Sequence, residues 1–236
     1  MKLGIEVLPD NAPTTLAGRM AAMRDRLASA AVRVGRASDC VTLVGVTKRQ
    51  PRGVVEDAVA CGLADVAENY LQEARPKLAD IGAVRKHFIG HIQTNKAKAI
   101  VETFDVVQSI DRIEAGRAIA RAALALGKPV RALVQINISP SERFGVAPHD
   151  AVALARTLRD EGLEIAGVMA IGPNSDDRAV ITEAFAVAAR TFAAVGGDTF
   201  SIGMSGDYEE AIAGGSTMVR IGTAIFGSRT TIEGGL

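Results

Sequence analysis

Lys48 stands two residues past the apolar run Val41–Val46 and is the chain's leading candidate for covalent chemistry. A lysine directly after a buried strand is partly desolvated, which disfavours the ammonium and frees the amine to attack a carbonyl. Arg49 beside it is also basic, but a guanidinium does not form a Schiff base. Taken alone, a lysine at a strand end is more often simply solvated, so the rest of the sequence has to decide.

The second group of candidates lies near the other end. Gly222 and Thr223 follow the apolar segment Met218–Ile221 and precede Ala224-Ile225-Phe226, which reads as a short helix. The N–H groups and dipole at a helix start favour a phosphate. Ser205, in Met204-Ser205-Gly206, is expected to open the preceding helix and add a hydroxyl donor. Each of these residues alone reads as an ordinary N-cap. Both together, beside a strand-end lysine, favour a phosphate site. Arg220, two residues before Gly222, should point to the same side of the strand. It either pairs with a carboxylate such as Glu68 or touches a ring nitrogen of the ligand.

Other polar residues carry less. His87 and His91 are four apart with no intervening glutamate of the H-E-x-x-H type, and they fall at a strand end, so no metal site is expected. His149 reads as a surface residue near a helix start. Cys40 and Cys61 form no C-x-x-C pair and read as small apolar residues in a reducing compartment. No G-x-S-x-G, Walker loop or paired-carboxylate motif is present.

These residues need elements to position them. An amphipathic helix is expected from about Thr14 to Gly35, with Leu16, Met20, Met23, Leu27 and Val34 on one face. Strands are expected at Val41–Val46, Asp65–Ala67, His87–Ile89, Asp105–Gln108, Val130–Ile138 (the longest), Glu164–Ile171, Thr199–Gly203 and Met218–Ile221. Helical segments separate them: from Pro51 to Gly62, Tyr70–Ala79, Asn95–Glu102, up to Gly127, from Pro148 and Asp150, along Ile181, Phe185, Ala188, Phe192 and Val195, and from about Gly206. Asp111 with Glu114 reads as an acidic capping box for the helix ending at Gly127. Strict alternation implies parallel strands, and eight such units predict a single (β/α)8 TIM barrel with an extra N-terminal helix, residues 1–236 as one domain. An open doubly wound sheet is the alternative, but no G-x-G-x-x-G follows the first strand and a helix precedes it. In a barrel, Thr47-Lys48, Glu68-Asn69, Gly90-His91, Ser109, Asn137-Ile138-Ser139, Met204-Ser205-Gly206 and Arg220–Thr223 would all gather at the C-terminal rim.

Composition bounds the rest. Tryptophan is absent and aromatics are 4%, so an aliphatic core is expected. Lys+Arg and Asp+Glu are both 27, giving zero formal charge and no electrostatic reason to expect nucleic acid or an anionic membrane as partner. With no signal segment and no membrane-length apolar run, a cytoplasmic location is expected. The expected state is a monomer.

The chain resembles the pyridoxal phosphate homeostasis proteins of the YggS/PROSC type. The matching segments are Val46-Thr47-Lys48-Arg49-Gln50-Pro51, Glu68-Asn69-Tyr70-Leu71-Gln72-Glu73, His87–Lys96, Val168-Met169-Ala170, Gly203–Asp207 and Gly215–Gly227. They run from the first strand to the last, and the final block is specific. The resemblance implies a barrel related to the N-terminal domain of alanine racemase. It implies pyridoxal 5'-phosphate (PLP) held as a Schiff base on Lys48, phosphate contacts from Ser205, Gly222 and Thr223, and Arg220 at the pyridine nitrogen. Asn69 and His91 are weaker candidates at the rim. Where family members often carry lysine, this chain reads Glu142-Arg143-Phe144-Gly145, which leaves that loop's role open.

Two arguments separate a carrier from an enzyme. Arg220 is a permanent cation, so a ring nitrogen facing it stays unprotonated and the cofactor is a weak electron sink. A racemase needs a base on each face of its substrate; no second domain is expected to supply one, and neither Tyr70 nor Tyr208 is clearly placed to do so. The expectation is a protein of intracellular PLP homeostasis that holds the cofactor and delivers it to PLP-dependent enzymes, without robust turnover. The alternatives are a PLP-dependent amino-acid racemase and a cofactor-free Schiff-base lyase acting on a sugar phosphate.

Overall fold

The computed structural model describes residues 14–139 and 144–227. Its elements run α1 (Leu16–Arg33), β1 (Thr42–Val46), α2 (Arg52–Ala60), β2 (Asp65–Glu68), α3 (Leu71–Leu78), β3 (Arg85–Phe88), a 3-10 turn (Thr94–Lys96) leading into α4 (Ala97–Thr103), β4 (Val106–Ile110) and α5 (Ile113–Leu126). They continue with β5 (Arg131–Ile136), α6 (Ala151–Asp160), β6 (Glu164–Ala170), α7 (Arg178–Val195), β7 (Thr199–Ser201), α8 (Tyr208–Ala213), β8 (Met218–Ile221) and α9 (Thr223–Phe226). The strands form a closed parallel barrel in sequence order, β8 returning to pair with β1. The expected barrel with its preceding helix is therefore what the chain adopts.

Alternation along each strand divides the apolar side chains. The outward set, Val66, Val107, Val134, Val168 and Val219 among them, packs under the helices in one large core. The inward set is small: Val44, Ala67 and Met218 with Val46 and Ile89, and Leu133, Ala166 and Met169 with Ile171. Much of the rest of the interior is polar, with Asp65, His87, Gln108, Gln135, Ser201 and Arg220 buried there. The outer core is not purely aliphatic either. Phe104, Phe185 and Phe200 are among its largest fully buried side chains, and Phe192 stacks on Phe200 at 4.9 Å.

Several local expectations shift. Helix α1 ends at Arg33, so Val34 falls off its buried face and is exposed. Strand β6, with seven residues, is longer than β5, with six. The Asp111–Glu114 capping box does not form, because α5 begins at Ile113 and Arg112 occupies the cap position. Asp111 pairs instead with Arg112 Nη1 at 2.7 Å.

Helix α1 has a structural purpose. It is capped by Thr15, whose Oγ1 accepts from Gly18 N at 3.1 Å, and it lies against α8 and α9. Arg19 Nε donates to Ile225 O at 2.6 Å, and just beyond the helix Arg36 donates to Ile212 O and Ser216 O, each at 2.8 Å. The extra helix thus braces the β8–α9 corner.

Candidate functional site

In the closing pair of the barrel, Val44 lies beside Arg220 and Gly45 beside Ile221. Lys48 leaves β1 just above this pair and Gly222 leaves β8 just above it. One corner of the mouth therefore carries Lys48, Arg220, Gly222 and Thr223.

Lys48 is half-buried on a turn built by α3. Gln50 N donates to Thr47 O at 3.0 Å, and Arg49 takes φ +61°, a left-handed conformation that side chains rarely adopt. The turn is gripped from below. Lys77 Nζ donates to Thr47 O at 2.8 Å, Thr47 Oγ1 donates to Glu68 Oε1 at 2.6 Å, and Arg49 N donates to the Glu73 carboxylate. Lys77 is itself buried between Glu68 at 2.7 Å and Glu73 at 2.5 Å. Burial raises the Glu68 carboxyl above its ordinary range, and the bonds from Lys77 and Thr47 offset this only in part. Glu68 is therefore not a rim residue. Like Val66, it points outward under the helices and supports the Lys48 turn.

Arg220 is buried inside the barrel and makes no ion pair with Glu68. Its Nη1 donates to Ser201 O at 2.8 Å and to Ser201 Oγ at 2.7 Å, and its Nη2 donates to Ala170 O at 2.8 Å. Burial lowers the guanidinium to about 10, against the charge of Asp207, so it remains a cation at neutral pH.

Gly222 caps α9, and the first bond of that helix is Ile225 N to Gly222 O at 3.0 Å. The amides of Thr223 and Ala224 accordingly have no acceptor within the helix. A side chain at Gly222 would meet only Val46, at 3.6 Å or more, so there is space beside this helix start. Ser205 does not open α8, which starts at Tyr208; it sits in the preceding turn. Buried Asp207 pins that turn, its Oδ1 accepting from Met204 N at 2.6 Å. Burial raises the Asp207 carboxyl, opposed by the Met204 bond and the Arg220 charge.

Asn69 follows β2, and its Oδ1 is buried without a hydrogen-bond partner among the described residues. His91 is partly exposed, its Nδ1 3.7 Å from Asp111 Oδ2 and its ring 4.3 Å from that of Phe144. Both line a cavity of about 380 Å³ together with Tyr70, Arg75, Phe88 and Lys96. Asn69 is held close to Gly90: a Cβ there would lie 1.9 Å from Asn69 O. Of the loop Glu142–Gly145, Glu142 and Arg143 lie outside the described residues, while Gln135 Nε2 donates to Phe144 O at 2.9 Å. His149 is exposed beside Asp150, as expected of a surface residue.

The profile of the alanine racemase N-terminal domain family matches residues 19–230. The pyridoxal phosphate homeostasis protein of Pseudomonas aeruginosa is 39% identical over 222 residues, 92% of this chain and 96% of that one. This chain belongs to the pyridoxal phosphate homeostasis protein family. Among solved structures it is similar to PipY of Synechococcus elongatus with PLP bound, at TM-score 0.79 and 30% identity, covering 90% of this chain and all of that one. Alanine racemase of Clostridium difficile shares the fold, at TM-score 0.68 and 15% identity over 85% of this chain and 55% of its own.

Within this family member, sequence reasoning brought Lys48, Arg220, Gly222 and Thr223 to one corner. It missed what holds them. Lys77 was not singled out, and Glu73 entered only as part of a matching segment. Asp65, Gln108 and Ser201 went unremarked, although each is a polar residue inside a strand, the signal that would have marked them.

Proposed function

We propose that this chain holds PLP as a Schiff base on Lys48 and acts in PLP homeostasis, keeping the reactive aldehyde bound and delivering it to PLP-dependent enzymes. The residues present fit the group. A half-buried lysine, a helix start at the end of β8, a buried donor-only cation and a buried Asn69 oxygen with no partner among the described residues lie at or beside the barrel mouth. Lys48 would carry the cofactor, and Ser205, Gly222 and Thr223 would receive its phosphate. Arg220 would face the ring nitrogen, with Asn69 and His91 at the edge. When bound, PLP supplies a carbonyl that condenses with a primary amine.

The observation that carries the carrier reading is Arg220. Its guanidinium offers only donors and stays cationic, so it does not protonate a ring nitrogen, and strong carbanion chemistry lacks the carboxylate partner it normally uses. The relatives named for PLP homeostasis support the same role. No helix among the described residues is long and apolar enough to cross a membrane.

Borohydride reduction of the PLP-loaded protein followed by peptide mass analysis tests the site: the label is expected on Lys48, and a label on any other lysine overturns it. Incubation of loaded protein with a panel of L-amino acids tests the role. Steady formation of D-isomers or keto acids would replace the carrier with a racemase or related enzyme.

A further inference from the structure

Five buried polar residues on five strands form one continuous chain across the barrel interior: Asp65 on β2, His87 on β3, Gln108 on β4, Ser201 on β7 and Arg220 on β8. Chemistry fixes the direction of every bond. Arg220 has no acceptor, so its Nη1 donates to Ser201 Oγ at 2.7 Å. The Ser201 proton then goes to Gln108 Oε1, 2.7 Å away. That orients the Gln108 amide, whose Nε2 faces His87 Nδ1 at 2.9 Å. His87 Nδ1 must therefore accept, which puts its proton on Nε2, 2.8 Å from Asp65 Oδ1. Asp65 closes the chain as an acceptor and also takes Arg85 Nε at 2.7 Å. All bonds point the same way along the chain, from the Arg220 cation to the Asp65 anion.

We propose that Asp65, His87, Gln108 and Ser201 are positioning residues: a one-way hydrogen-bond relay that fixes Arg220 as an oriented cation for the cofactor ring. This rests on the reading above that Arg220 faces PLP. The relay and Ala170 O occupy both Nη1 protons and one on Nη2; the N–H of Nε and the second of Nη2 keep no hydrogen-bond partner among the described residues. One side of the guanidinium is thus committed to the protein and the other is left for a ligand. The relay also resists reversal. A proton on His87 Nδ1 would oppose the Gln108 amide N–H groups. Flipping Gln108 would turn its amide toward Ser201, whose hydroxyl would lose its acceptor while still receiving from Arg220. Reorganising Arg220 therefore requires reorganising the whole chain.

The relay is tested first in the cofactor-free protein by 15N NMR of histidine, with His87 assigned through a His87→Gln control. The Nε2–H tautomer is expected; an Nδ1–H tautomer or a doubly protonated ring at neutral pH overturns the relay. Second, Gln108→Leu removes both roles of the glutamine, while Gln108→Glu keeps the acceptor for Ser201 but places a carboxylate oxygen against His87 Nδ1. Gln108→Leu is expected to weaken PLP binding roughly tenfold, the upper end of the scale of a lost neutral hydrogen bond, and to shift the absorbance of the bound cofactor. Gln108→Glu is expected to restore most of the affinity, because Ser201 keeps its acceptor. Unchanged affinity and spectrum in Gln108→Leu overturn the proposal. So does a loss that Gln108→Glu fails to rescue, since that is what a merely structural role would give. Borohydride labelling keeps the two readings apart: if wild-type protein is not labelled on Lys48, the site reading fails, while the His87 tautomer still decides the relay.

Discussion

Lys77 donates from its Nζ to the carbonyl oxygen of Thr47 at 2.8 Å, directly before Lys48. The same ammonium lies 2.7 Å from Glu68, which is fully buried. Removing one partner of a buried pair leaves the other charge uncompensated, at a cost of roughly 3–5 kcal/mol. Lys77→Met should therefore destabilise the protein on that scale in urea unfolding. It should also weaken PLP binding, because the Lys48 turn loses its anchor. The double variant Lys77→Met/Glu68→Leu, which leaves no buried charge in this pair, should recover much of the stability but not the affinity.

The barrel was legible because its strands are short apolar runs punctuated by helical segments, and parallel closure follows from the alternation. The corner of Lys48, Arg220, Gly222 and Thr223 was legible because two strand ends that become neighbours each carry residues suited to the ligand. What stayed hidden depends on which way a side chain faces. Glu68 read as a rim residue, but strand alternation turns it outward onto Lys77, nine residues later on α3. Strand β3 begins at Arg85 rather than His87, which places His87 within the strand and inside the barrel. Asp111 failed as a cap because α5 starts one residue too late for it. For Glu68 and His87 a partner distant in sequence decides the role, while for Asp111 a shift of one residue in the helix start does.

Gly90 sets the spacing between the ends of β2 and β3. A Cβ at this position would lie 1.9 Å from Asn69 O and 2.8 Å from Asn69 C, both backbone atoms that do not swing aside. Gly90→Ala must displace one strand end, at a cost of about 1–3 kcal/mol for an overpacked site. Thermal unfolding should register that loss. Asn69 moves with the strand end, so PLP affinity should fall as well, and an affinity equal to wild type would remove Asn69 from the site.

Arg49 adopts φ +61° at the turn that carries Lys48. A left-handed conformation costs an ordinary residue about 1–2 kcal/mol, while glycine adopts it freely but loses roughly 0.5–1 kcal/mol more entropy on folding. Arg49→Gly should thus leave stability within about 1 kcal/mol of wild type. Arg49→Val, whose branched side chain fits this conformation worst, should lose on the order of 2 kcal/mol. The amide that bonds Glu73 is kept in both variants. Chemical denaturation of the pair reads the backbone effect apart from the lost positive charge, which both share.

Asp207 gives a pH dependence with a definite sign. Burial raises its carboxyl above the ordinary 3.8, in spite of the Met204 amide bond and the Arg220 charge. A carboxyl whose folded-state pKa is raised contributes stability at low pH that is lost as pH rises through the folded value, because the folded state then holds an unfavourable buried anion. Asp207→Asn keeps an oxygen for Met204 N and removes the charge. Its stability relative to wild type should therefore improve as pH is raised from below 3.8 toward neutrality, as measured by urea unfolding at several pH values. The Arg220 guanidinium loses its nearest supporting anion in the same variant, so PLP binding should become more sensitive to high pH. If stability relative to wild type instead falls as pH rises, the Asp207 carboxylate is net stabilising, and its attraction to Arg220 outweighs its burial.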